Sequence, residues 1–560
     1  MAKCCGNEEE VINRRREFFE TLLNRPNPED PLDQNETQTA EEWIPEPTIN
    51  EVREVIKSLK HNKSPGEDGI PAELFKYGGD IIEQQLLKLY KIIWERESKP
   101  EEWEIAILIP IHKKGDKMDC NNYRGISLLA VAYKIFTKVI YNRLLRYTED
   151  IIGEYQCGFR PDRSTIDHIF SIRQLLEKCY EYNVDHEHLF IDFRQAYDSI
   201  HRPSMWQILK EFGIPKKLIK MIQVCILNSR NKVKLGNKMS EPFQTVSGLR
   251  QGCILSPVLF SLAMEKVTRT ILNRPEGMNV NNNIIKDFSY ADDIDLVAPS
   301  LEDLDSLASD LNGMASRMGL SINENKTKLM KITKGDDQNN DIVLVGGLNV
   351  EYVNEFKYLG SIVTSKNDIE KEIKARITSA NKCYYSLSNF FKKRSISIKT
   401  KCRIYTTVVR PIALYGCEAW TLTKKLEKKL MVFENTILRR IAGPVYDTET
   451  NTWRRRHNIE LRALTQVPPI INIMKSHRLR WAGHLNRMNE DRYPKVMLEG
   501  GLGGRRHRGR PRRRWADCIR DDVSELGERG EAWQEIAQDR QRWRGLCRAA
   551  LGHRAHEPPE

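Results

Sequence analysis

The chain contains 560 residues, of which 40% are hydrophobic and 30% are charged. A usual domain size of roughly 100–200 residues predicts three or four folded units, and this composition excludes a disordered chain. No stretch approaches the roughly 20 uninterrupted apolar residues of a membrane span, and the first residues lack the apolar centre of a signal peptide. We therefore expect an intracellular protein without a membrane partner.

The net charge of +12 is unevenly distributed. Residues 471–560 hold 20 Lys and Arg against 13 Asp and Glu, a surplus that favours a polyanion partner, first of all nucleic acid. The twelve cysteines include no Cys-x-x-Cys pair, and the adjacent Cys4 and Cys5 give little support to a zinc knuckle. We expect reduced thiols and no structural zinc.

The N-terminal part of the chain predicts two helices. Residues 9–23 and 49–59 carry apolar side chains at helical spacing, and a Pro- and acid-rich linker over residues 26–47 separates them. The second helix should end before residues 63–69, a cluster of turn-forming residues.

From about residue 80 to 365, predicted helices alternate with short strands, as in an α+β domain. A strand over 105–111 precedes basic residues 112–115, and helices are predicted over 131–147 and 164–182. Residues 370–440 are helical and basic-amphipathic, and the chain becomes rich in Arg and Trp beyond residue 470.

Two segments carry acids where strands end. Residues 189–193 form an apolar run that includes Asp192, and residues 288–298 predict two strands joined by a tight turn at Asp292 and Asp293. Nucleotidyl transfer uses two divalent ions roughly 3.5–4 Å apart, held by carboxylate oxygens. Neighbouring strands lie only about 5 Å apart, so these acids could meet at one site. Asp295 is expected to face solvent and is left out of the site.

An ordered series of motifs resembles the reverse transcriptases of non-LTR (LINE-type) retrotransposons. Tyr290-Ala291-Asp292-Asp293 resembles their Tyr-x-Asp-Asp box, and residues 190–198 resemble the box with the other metal-binding aspartate. Five further motifs follow the family's order, at residues 122–129, 156–165, 248–257, 319–328 and 356–360. Residues 414–420 and 480–484 extend the resemblance beyond this region.

The resemblance implies an α+β right-hand polymerase with fingers, a ferredoxin-like palm and a helical thumb, followed by a basic, mostly helical C-terminal region. We expect an N-terminal helical extension or linker over residues 1–89 and the reverse transcriptase domain, with fingers and palm, over 90–364. The thumb or connector would occupy 365–470 and the Arg/Trp-rich basic region 471–560.

The resemblance also implies roles for the acids. Asp192 and Asp292 would be the principal ligands of two Mg²⁺ ions, with Mn²⁺ as an alternative metal, and Asp293 a weaker one. Phe193 would offer its backbone carbonyl. Tyr197 stands where the family places an aromatic ring that excludes a ribose 2′-hydroxyl, although ordinary core packing is an alternative.

Further residues would contact the incoming dNTP. Gln251 and Gly252 fit a close approach to the nucleotide, because glycine presents no side chain. Lys113, Lys114 and Arg124 are candidates for gripping the triphosphate, with a solvated basic loop as the alternative for the lysines. We expect Asp198 to be structural and Lys326 to lie on a helix surface rather than to act as a general acid.

The basic tail has three open interpretations: DNA binding in an A·T minor groove, a nuclear-localisation patch, or general phosphate binding. Its seven arginines are Arg505, Arg506, Arg508, Arg510, Arg512, Arg513 and Arg514. Trp481, Trp515 and Trp543 could stack on bases, but core packing is the more usual role of tryptophans at helical spacing.

The sequence thus predicts an RNA-directed DNA polymerase that uses an RNA template, a DNA primer or target, and dNTPs, located in nucleus and cytoplasm. Retrotransposon relatives of this type usually carry an endonuclease domain before the polymerase, and the roughly 90 preceding residues are too short for one. The alternative is a catalytically silent remnant that only binds nucleic acid. An intron-encoded maturase is disfavoured, and the oligomeric state is left open.

Overall fold

The computed structural model describes residues 8–33, 42–333, 341–503, 512–528 and 530–552. Helices and strands are mixed along the chain. The helices are α1 (Glu8–Leu22), α2 (Ile49–Ser58), α3 (Ala72–Tyr77), α4 (Gly79–Arg96), α5 (Val131–Ile151), α6 (Thr165–Tyr182), α7 (Ala196–Ser199), α8 (Arg202–Glu211), α9 (Lys216–Ile226), α10 (Ser256–Leu272), α11 (Leu301–Arg317), α12 (Ile369–Ser386), α13 (Ser388–Lys392), α14 (Ile398–Ile404), α15 (Arg410–Ala413), α16 (Lys424–Ala442), α17 (Asn458–Thr465), α18 (Ile470–Asn486), α19 (Tyr493–Glu499), α20 (Trp515–Glu525), α21 (Trp533–Gln538) and α22 (Arg540–Ala549).

The strands lie mostly between residues 105 and 364. They are β1 (Ile105–His112), β2 (Tyr123–Leu128), β3 (His186–Ile191), β4 (Ser229–Leu235), β5 (Lys238–Met239), β6 (Phe243–Thr245), β7 (Met278–Val280), β8 (Asn283–Ile285), β9 (Asp287–Tyr290), β10 (Asp293–Ala298), β11 (Lys328–Ile332), β12 (Ile342–Val345), β13 (Leu348–Tyr352), β14 (Glu355–Tyr358), β15 (Ser361–Thr364), β16 (Val445–Asp447) and β17 (Thr452–Arg454). The strands and helices predicted between 105 and 182 are confirmed, apart from small shifts of their ends.

A first sheet has the strand order β2-β1-β4-β5, with β6 also paired to β4. Strand β1 runs antiparallel to β2, with Ile111 opposite Arg124, and parallel to β4. Helix α1 packs on this sheet by burying Ile12 and Phe19 against apolar side chains of β1, β4 and β6. The N-terminal helix is therefore part of the sheet's core.

The segment before α2 and the start of α2 are held by helix α5. Thr48 and Glu51 form a capping box at the start of α2, which satisfies two backbone N–H groups of its first turn. Arg143 on α5 donates to the Glu51 carboxylate at 2.7 Å and to the Pro45 carbonyl at 2.5 Å. Residue 90, where the sequence placed a domain boundary, lies within α4.

A second sheet has the order β12-β13-β11-β3-β10-β9, with the fully buried β3 antiparallel to both neighbours. Leu189 and Ile191 of β3 join the core formed with α10 and α11. Phe190 points to the opposite face and packs with α6 residues such as Leu175. Both faces of the sheet are thus covered, which explains the continuous apolar run in β3.

The C-terminal helices pack against α6 through aromatic side chains. Trp481, Trp515 and Trp543 are buried in one cluster with Ile169 and Phe170 of α6. The ring centroids of Phe170 and Trp515 are 4.8 Å apart. These tryptophans form core contacts, which confirms the packing interpretation over base stacking.

Within the described residues, no helix combines the length and the apolar character needed to cross a membrane.

Candidate active site

The three aspartates predicted from the motifs lie at one edge of the second sheet. Tyr290 of β9 pairs with Asp293 of β10, so Ala291 and Asp292 form a two-residue turn. Ile294 of β10 pairs with Ile191 of β3, and Asp192 directly follows β3. Because antiparallel neighbours are only about 5 Å apart, this register brings Asp293 beside Asp192 and Asp292 to the adjoining turn.

The turn is held by a buried glutamine. The Ala291 backbone is left-handed (φ 59°), which is unfavourable for a residue with a side chain. The Gln156 amide oxygen accepts from the N–H of Ala291 at 2.7 Å, and its Nε2 donates to the Ala291 carbonyl at 3.3 Å. A Cβ on Gly158 would lie 2.2 Å from the Ala291 nitrogen. Residues 156–158, which the sequence showed only as a motif, therefore fix the shape of the turn.

Asp192 is positioned by the segment after α11. Its carbonyl accepts from the Asn323 N–H at 2.7 Å, and its N–H donates to the Thr327 hydroxyl at 3.3 Å. Lys326 Nζ lies 2.9 Å from Asp192 Oδ2. Lys326 belongs to a turn, so its predicted place on a helix surface is wrong. The turn is needed because the chain must re-enter the sheet as β11.

The electrostatic environment of the edge disfavours several bare negative charges. Burial raises the pKa of Asp292, and the nearby Asp192 raises it further, while Arg124 and Lys326 oppose the shift. The pKa of Asp293 is raised to about 6 by reduced solvation and by Asp292 and Asp192, although its side chain reaches the surface. Crowded carboxylates of this kind favour the binding of a cation.

The donor set suits hard divalent ions, because it consists of carboxylate oxygens at the end of a sheet. Among the described residues, the carboxylate oxygens of Asp192, Asp292 and Asp293 do not form a set in which all three lie within 4.8 Å of one another. Such an arrangement is compatible with two metal ions, because the two ions need not both bind all three aspartates. Phe193, the predicted carbonyl ligand, follows Asp192 and has a buried side chain.

A second polar group lies beside the acids. Gln251 Nε2 donates to both carboxylate oxygens of Asp198, at 2.8 and 2.9 Å. Burial raises the pKa of Asp198 to about 6, against the opposing effects of Gln251, Lys113, Arg25 and Arg124. Asp198 thus anchors Gln251, as its structural interpretation implied, and gathers three cations around it.

Arg25 is a residue that motif reasoning missed. It follows α1, its backbone N–H donates to the Ser247 hydroxyl at 3.2 Å, and its guanidinium donates to Gln195 Oε1 at 2.5 Å. No local pattern in the sequence signals this contact, because it joins positions more than 150 residues apart.

Gly252 is required by the fold itself. Its φ of 124° is a conformation that L side chains rarely adopt, and an added Cβ would lie 2.5 Å from the Ser127 carbonyl oxygen of β2. The Ser127 N–H donates to the Gln251 carbonyl at 2.7 Å. The first sheet therefore fixes Gln251 and Gly252, and this contact alone explains the glycine.

Tyr197 lies half-buried between the site and the core. Its ring packs on Phe260 with centroids 5.2 Å apart, and its carbonyl accepts from the Leu249 N–H at 2.9 Å. Burial raises its pKa above the usual range. A ring held in this way has few alternative positions, as a steric filter requires.

The two candidate lysines, Lys113 and Lys114, differ in their electrostatic surroundings. Lys113 has a lowered pKa because of desolvation and the nearby Arg124, and the charges of Asp198, Lys326 and Asp192 also reach it. Lys114 is exposed on the following turn and is not among the main charges acting on the site's acids. Lys113 and Arg124 thus belong to the site's surroundings, and Lys114 has no such support.

Asp295 is the clearest error of the sequence interpretation. It is completely buried, and His188 Nδ1 lies 2.9 Å from its Oδ2. Helix α6 and the β14–β15 hairpin cover the face that was expected to meet solvent, with Phe356 stacked on Phe190 at 4.4 Å. Asp295 remains outside the site, but as a core residue.

The predicted nucleic-acid-binding arginines fall into two groups. Arg505, Arg506, Arg508 and Arg510 lie outside the described residues. Arg512 stacks on Tyr180 at 3.6 Å, Arg513 donates to the Leu422 carbonyl at 3.2 Å, and Arg514 pairs with Glu181 at 2.9 Å. These three arginines therefore make contacts within the chain, and Arg512 and Arg514 attach the segment before α20 to α6.

Comparison with known proteins identifies the region that carries this site. Residues 111–363 match the family described as reverse transcriptase (RNA-dependent DNA polymerase). A putative uncharacterized transposon-derived protein of Caenorhabditis elegans is 29% identical over 282 residues, covering 48% of this chain and 98% of that protein. The probable RNA-directed DNA polymerase from transposon BS of Drosophila melanogaster is 25% identical over 426 residues, covering 73% of this chain and 46% of that protein.

The chain spans about half the length of the related polymerases from transposon BS, the X-element and the mobile element jockey. A solved structure of apo telomerase from Candida tropicalis, truncated from its C-terminal domain, is similar at 14% identity and a TM-score of 0.35. That similarity covers 48% of this chain and 55% of the telomerase chain. A TM-score at this level does not by itself establish a shared fold.

Proposed function

Because residues 111–363 match the reverse transcriptase family and the chain is similar to the probable RNA-directed DNA polymerase of a transposon, we propose that it extends a DNA 3′-end along an RNA template. The observation that carries the proposal is the edge of the second sheet. There the register of β3, β9 and β10 gathers Asp192, Asp292 and Asp293, and Gln156 fixes the turn between the last two strands.

Two Mg²⁺ ions, or Mn²⁺ in their place, would be held by the three aspartates and the Phe193 carbonyl. When bound, such ions activate the attacking 3′-hydroxyl and stabilise the leaving pyrophosphate. The chain's own contribution is to fix the carboxylates on a rigid sheet edge. Lys326 pairs with one Asp192 oxygen at 2.9 Å, and the other Asp192 oxygen would be available to a metal ion.

The remaining site residues would bind and select the dNTP. Lys113 and Arg124 supply positive charge beside the acids, which suits a triphosphate. Gln251, whose side chain is held by Asp198, and the neighbouring Gly252 would lie against the nucleotide. The Tyr197 ring, backed by Phe260, would exclude a 2′-hydroxyl by steric contact. Each of these roles is a proposal for one side chain and can be tested separately.

In the proposed right-hand arrangement, the first sheet belongs to the fingers and the second sheet to the palm. Helices α12–α16 would form the thumb, and the basic region over residues 471–560 would add contacts to nucleic acid. RNA template and DNA primer would be held mainly through phosphates and 2′-hydroxyls. Access to both transcript and target would require the protein in cytoplasm and nucleus.

The proposal is tested by primer extension with the purified full chain, a DNA primer and either an RNA or a DNA template, in Mg²⁺ and in Mn²⁺. We expect RNA-templated dNTP incorporation that depends on the metal. Asp292→Asn is the matched control, because it keeps the side-chain shape and removes the charge. Incorporation no greater than that of the control would overturn the proposal and favour a silent nucleic-acid-binding remnant.

A further inference from the structure

A cluster of metal-ligating side chains, distinct from the aspartates, lies where the turn after α15 meets α18. Cys417 and Glu418 lie on a 3-10 turn over Cys417–Ala419, and His477 lies on α18. Cys417 Sγ is 3.8 Å from His477 Nδ1, and Glu418 Oε1 is 3.6 Å from the same nitrogen. One ligand atom from each residue lies within 4.8 Å of the others, and the described residues contain no second group of this kind.

We propose that Cys417, Glu418 and His477 bind a zinc ion that ties the turn after α15 to helix α18. Zinc bonds of about 2.3 Å to sulfur and about 2.0–2.2 Å to nitrogen or oxygen, in a tetrahedron, place the ligand atoms roughly 3.3–3.6 Å apart. The two separations from His477, 3.8 and 3.6 Å, need only a small contraction to reach that geometry, and the third pair lies within 4.8 Å.

The chemistry of the ligands selects the class of ion. A thiolate and an imidazole are poor ligands for Mg²⁺ and Ca²⁺, which prefer oxygen, and good ones for Zn²⁺. Cys417 is fully buried. A cysteine binds zinc as the thiolate, so the thiol proton would pass to solvent as the sulfur–zinc bond forms.

Both elements that carry the ligands are fixed by neighbouring contacts. The indole N–H of the buried Trp515 donates to the Glu418 carbonyl at 2.7 Å. On α18, Arg478 follows His477 and pairs with Asp522 at 2.6 Å, while also donating to the Trp420 carbonyl at 3.3 Å. Such support keeps ligands in place before the ion binds.

One side of the cluster is open. Glu418 and His477 line a cleft of about 510 Å³, together with Thr406, Arg410 and Tyr415. The cleft lies between α6 and the helices around α15, so water can reach the cluster from that side. Three protein ligands and one water would complete a four-coordinate site, and the ion would remain exchangeable with chelators.

The test uses the full chain, stripped of metal with a chelator and then titrated with Co²⁺ or Zn²⁺ alone. We expect one zinc per chain at this site and, with Co²⁺, a thiolate-to-metal charge-transfer band that the oxygen-only aspartates cannot produce. Cys417→Ala should abolish the band. Asp292→Asn should retain it, which separates this site from the sheet edge.

A second variant covers the case in which Cys417→Ala fails to fold. His477→Gln alters a half-buried side chain and should weaken zinc binding by more than about 100-fold, since even second-shell changes cost 10–100-fold. His484→Gln, on the same helix but outside the cluster, should bind zinc like the wild type. Absence of the band in the wild type, or equal zinc affinity of the two histidine variants, would overturn the proposal.

Discussion

The β9–β10 hairpin carries two pairs of aspartates that have opposite environments. Asp292 and Asp293 lie at its tip, beside Asp192 and within the influence of Lys326, and for Asp292 also of Arg124. Asp287 and Asp295 lie within its strands and have no exposed surface. At the tip, charges are crowded and can attract a cation. Inside the sheet, burial raises the pKa of both carboxyls, so the same residue type is exposed to cations at the edge and packed in the interior.

The interior pair shows how charge is avoided. Burial raises the pKa of Asp295 well above its usual range and lowers the pKa of its partner His188 to about 3. The pKa of Asp287 is raised to about 7 by burial, against the opposing hydrogen bond from Ser289. Near neutral pH, Asp295 and His188 therefore form a neutral hydrogen-bonded pair, with His186 Nε2 3.1 Å from the far ring nitrogen.

The largest loss of polymerisation is expected from a substitution at the sheet edge that carries the three aspartates. Asp192→Asn should lower RNA-templated polymerisation by about 10³-fold, because several kcal/mol of transition-state stabilisation depend on its charge. Template binding should change little, since the substitution removes a negative charge and no positive one. Steady-state extension rates and RNA-binding isotherms measure the two separately. Equal loss of both would show that Asp192 is a structural acid.

A second prediction concerns the proposed exclusion of ribonucleotides by the Tyr197 ring. Tyr197→Val should reduce discrimination against ribonucleotides by about 10–200-fold, the usual value of a few contacts in an apolar pocket. Tyr197→Phe keeps the ring on Phe260 and should retain selectivity. Competing dNTP and rNTP incorporation gives the ratio, and an unchanged ratio in the valine variant would assign Tyr197 to core packing.

The turn that presents the edge acids depends on Gln156. Gln156→Ala should lower the free energy of unfolding by about 1–3 kcal/mol, because the buried N–H groups of Gly158 and Ala291 lose their acceptor. Polymerisation should fall by roughly tenfold to 100-fold as Asp292 loses its position, in line with the cost of small misplacements. Gln156→Glu keeps an acceptor and should recover part of both. Full activity in the alanine variant would mean that the strands alone shape the turn.

The smallest effect concerns pH and the interior pair. The pKa of Asp287 is about 7 in the folded chain and about 3.9 in the unfolded chain. The free energy of unfolding is therefore highest at acidic pH, where the carboxyl is protonated in both states, and it falls as pH rises toward 7. Asp287→Asn should remove this loss and gain about 1–3 kcal/mol relative to wild type between pH 5 and pH 8. Denaturant unfolding of both proteins at pH 5 and pH 8 measures this difference in unfolding free energy. A difference that does not change with pH would contradict a raised pKa for the buried Asp287.

Motifs and local patterns predicted much of the local structure at the sheet edge that carries Asp192, Asp292 and Asp293. The apolar run of β3 and the short β9–β10 hairpin were readable from residues 189–193 and 288–298, because strand period and turn signals are local. The motif order supplied the pairing of Asp192 with Asp292. Asp295 was assigned to solvent because alternation cannot reveal that α6 and the β14–β15 hairpin cover the second face of the sheet.

Contacts between distant residues were beyond sequence reasoning. Gln156 meets Ala291 across 135 residues, and Arg25 meets Gln195 across 170. His477 joins Cys417 across 60 residues without any Cys-x-x-Cys spacing, so the cluster could not be recognised by pattern and contradicts the expectation of idle thiols only if zinc binds. Lys326 was misassigned to a helix, although α11 ends at Arg317 and Lys326 lies in the turn that precedes β11.

The most direct test of the contrast is RNA-templated dNTP incorporation by Asp292→Asn and Asp295→Asn, measured in parallel with the wild type in Mg²⁺. Both substitutions replace a carboxyl by an amide in the same strand pair, and thermal unfolding checks that both variants are folded. We predict a loss of about 10³-fold for Asp292→Asn and near wild-type incorporation for Asp295→Asn. Equal losses in two folded variants, or retained incorporation in Asp292→Asn, would contradict the assignment of catalysis to the edge.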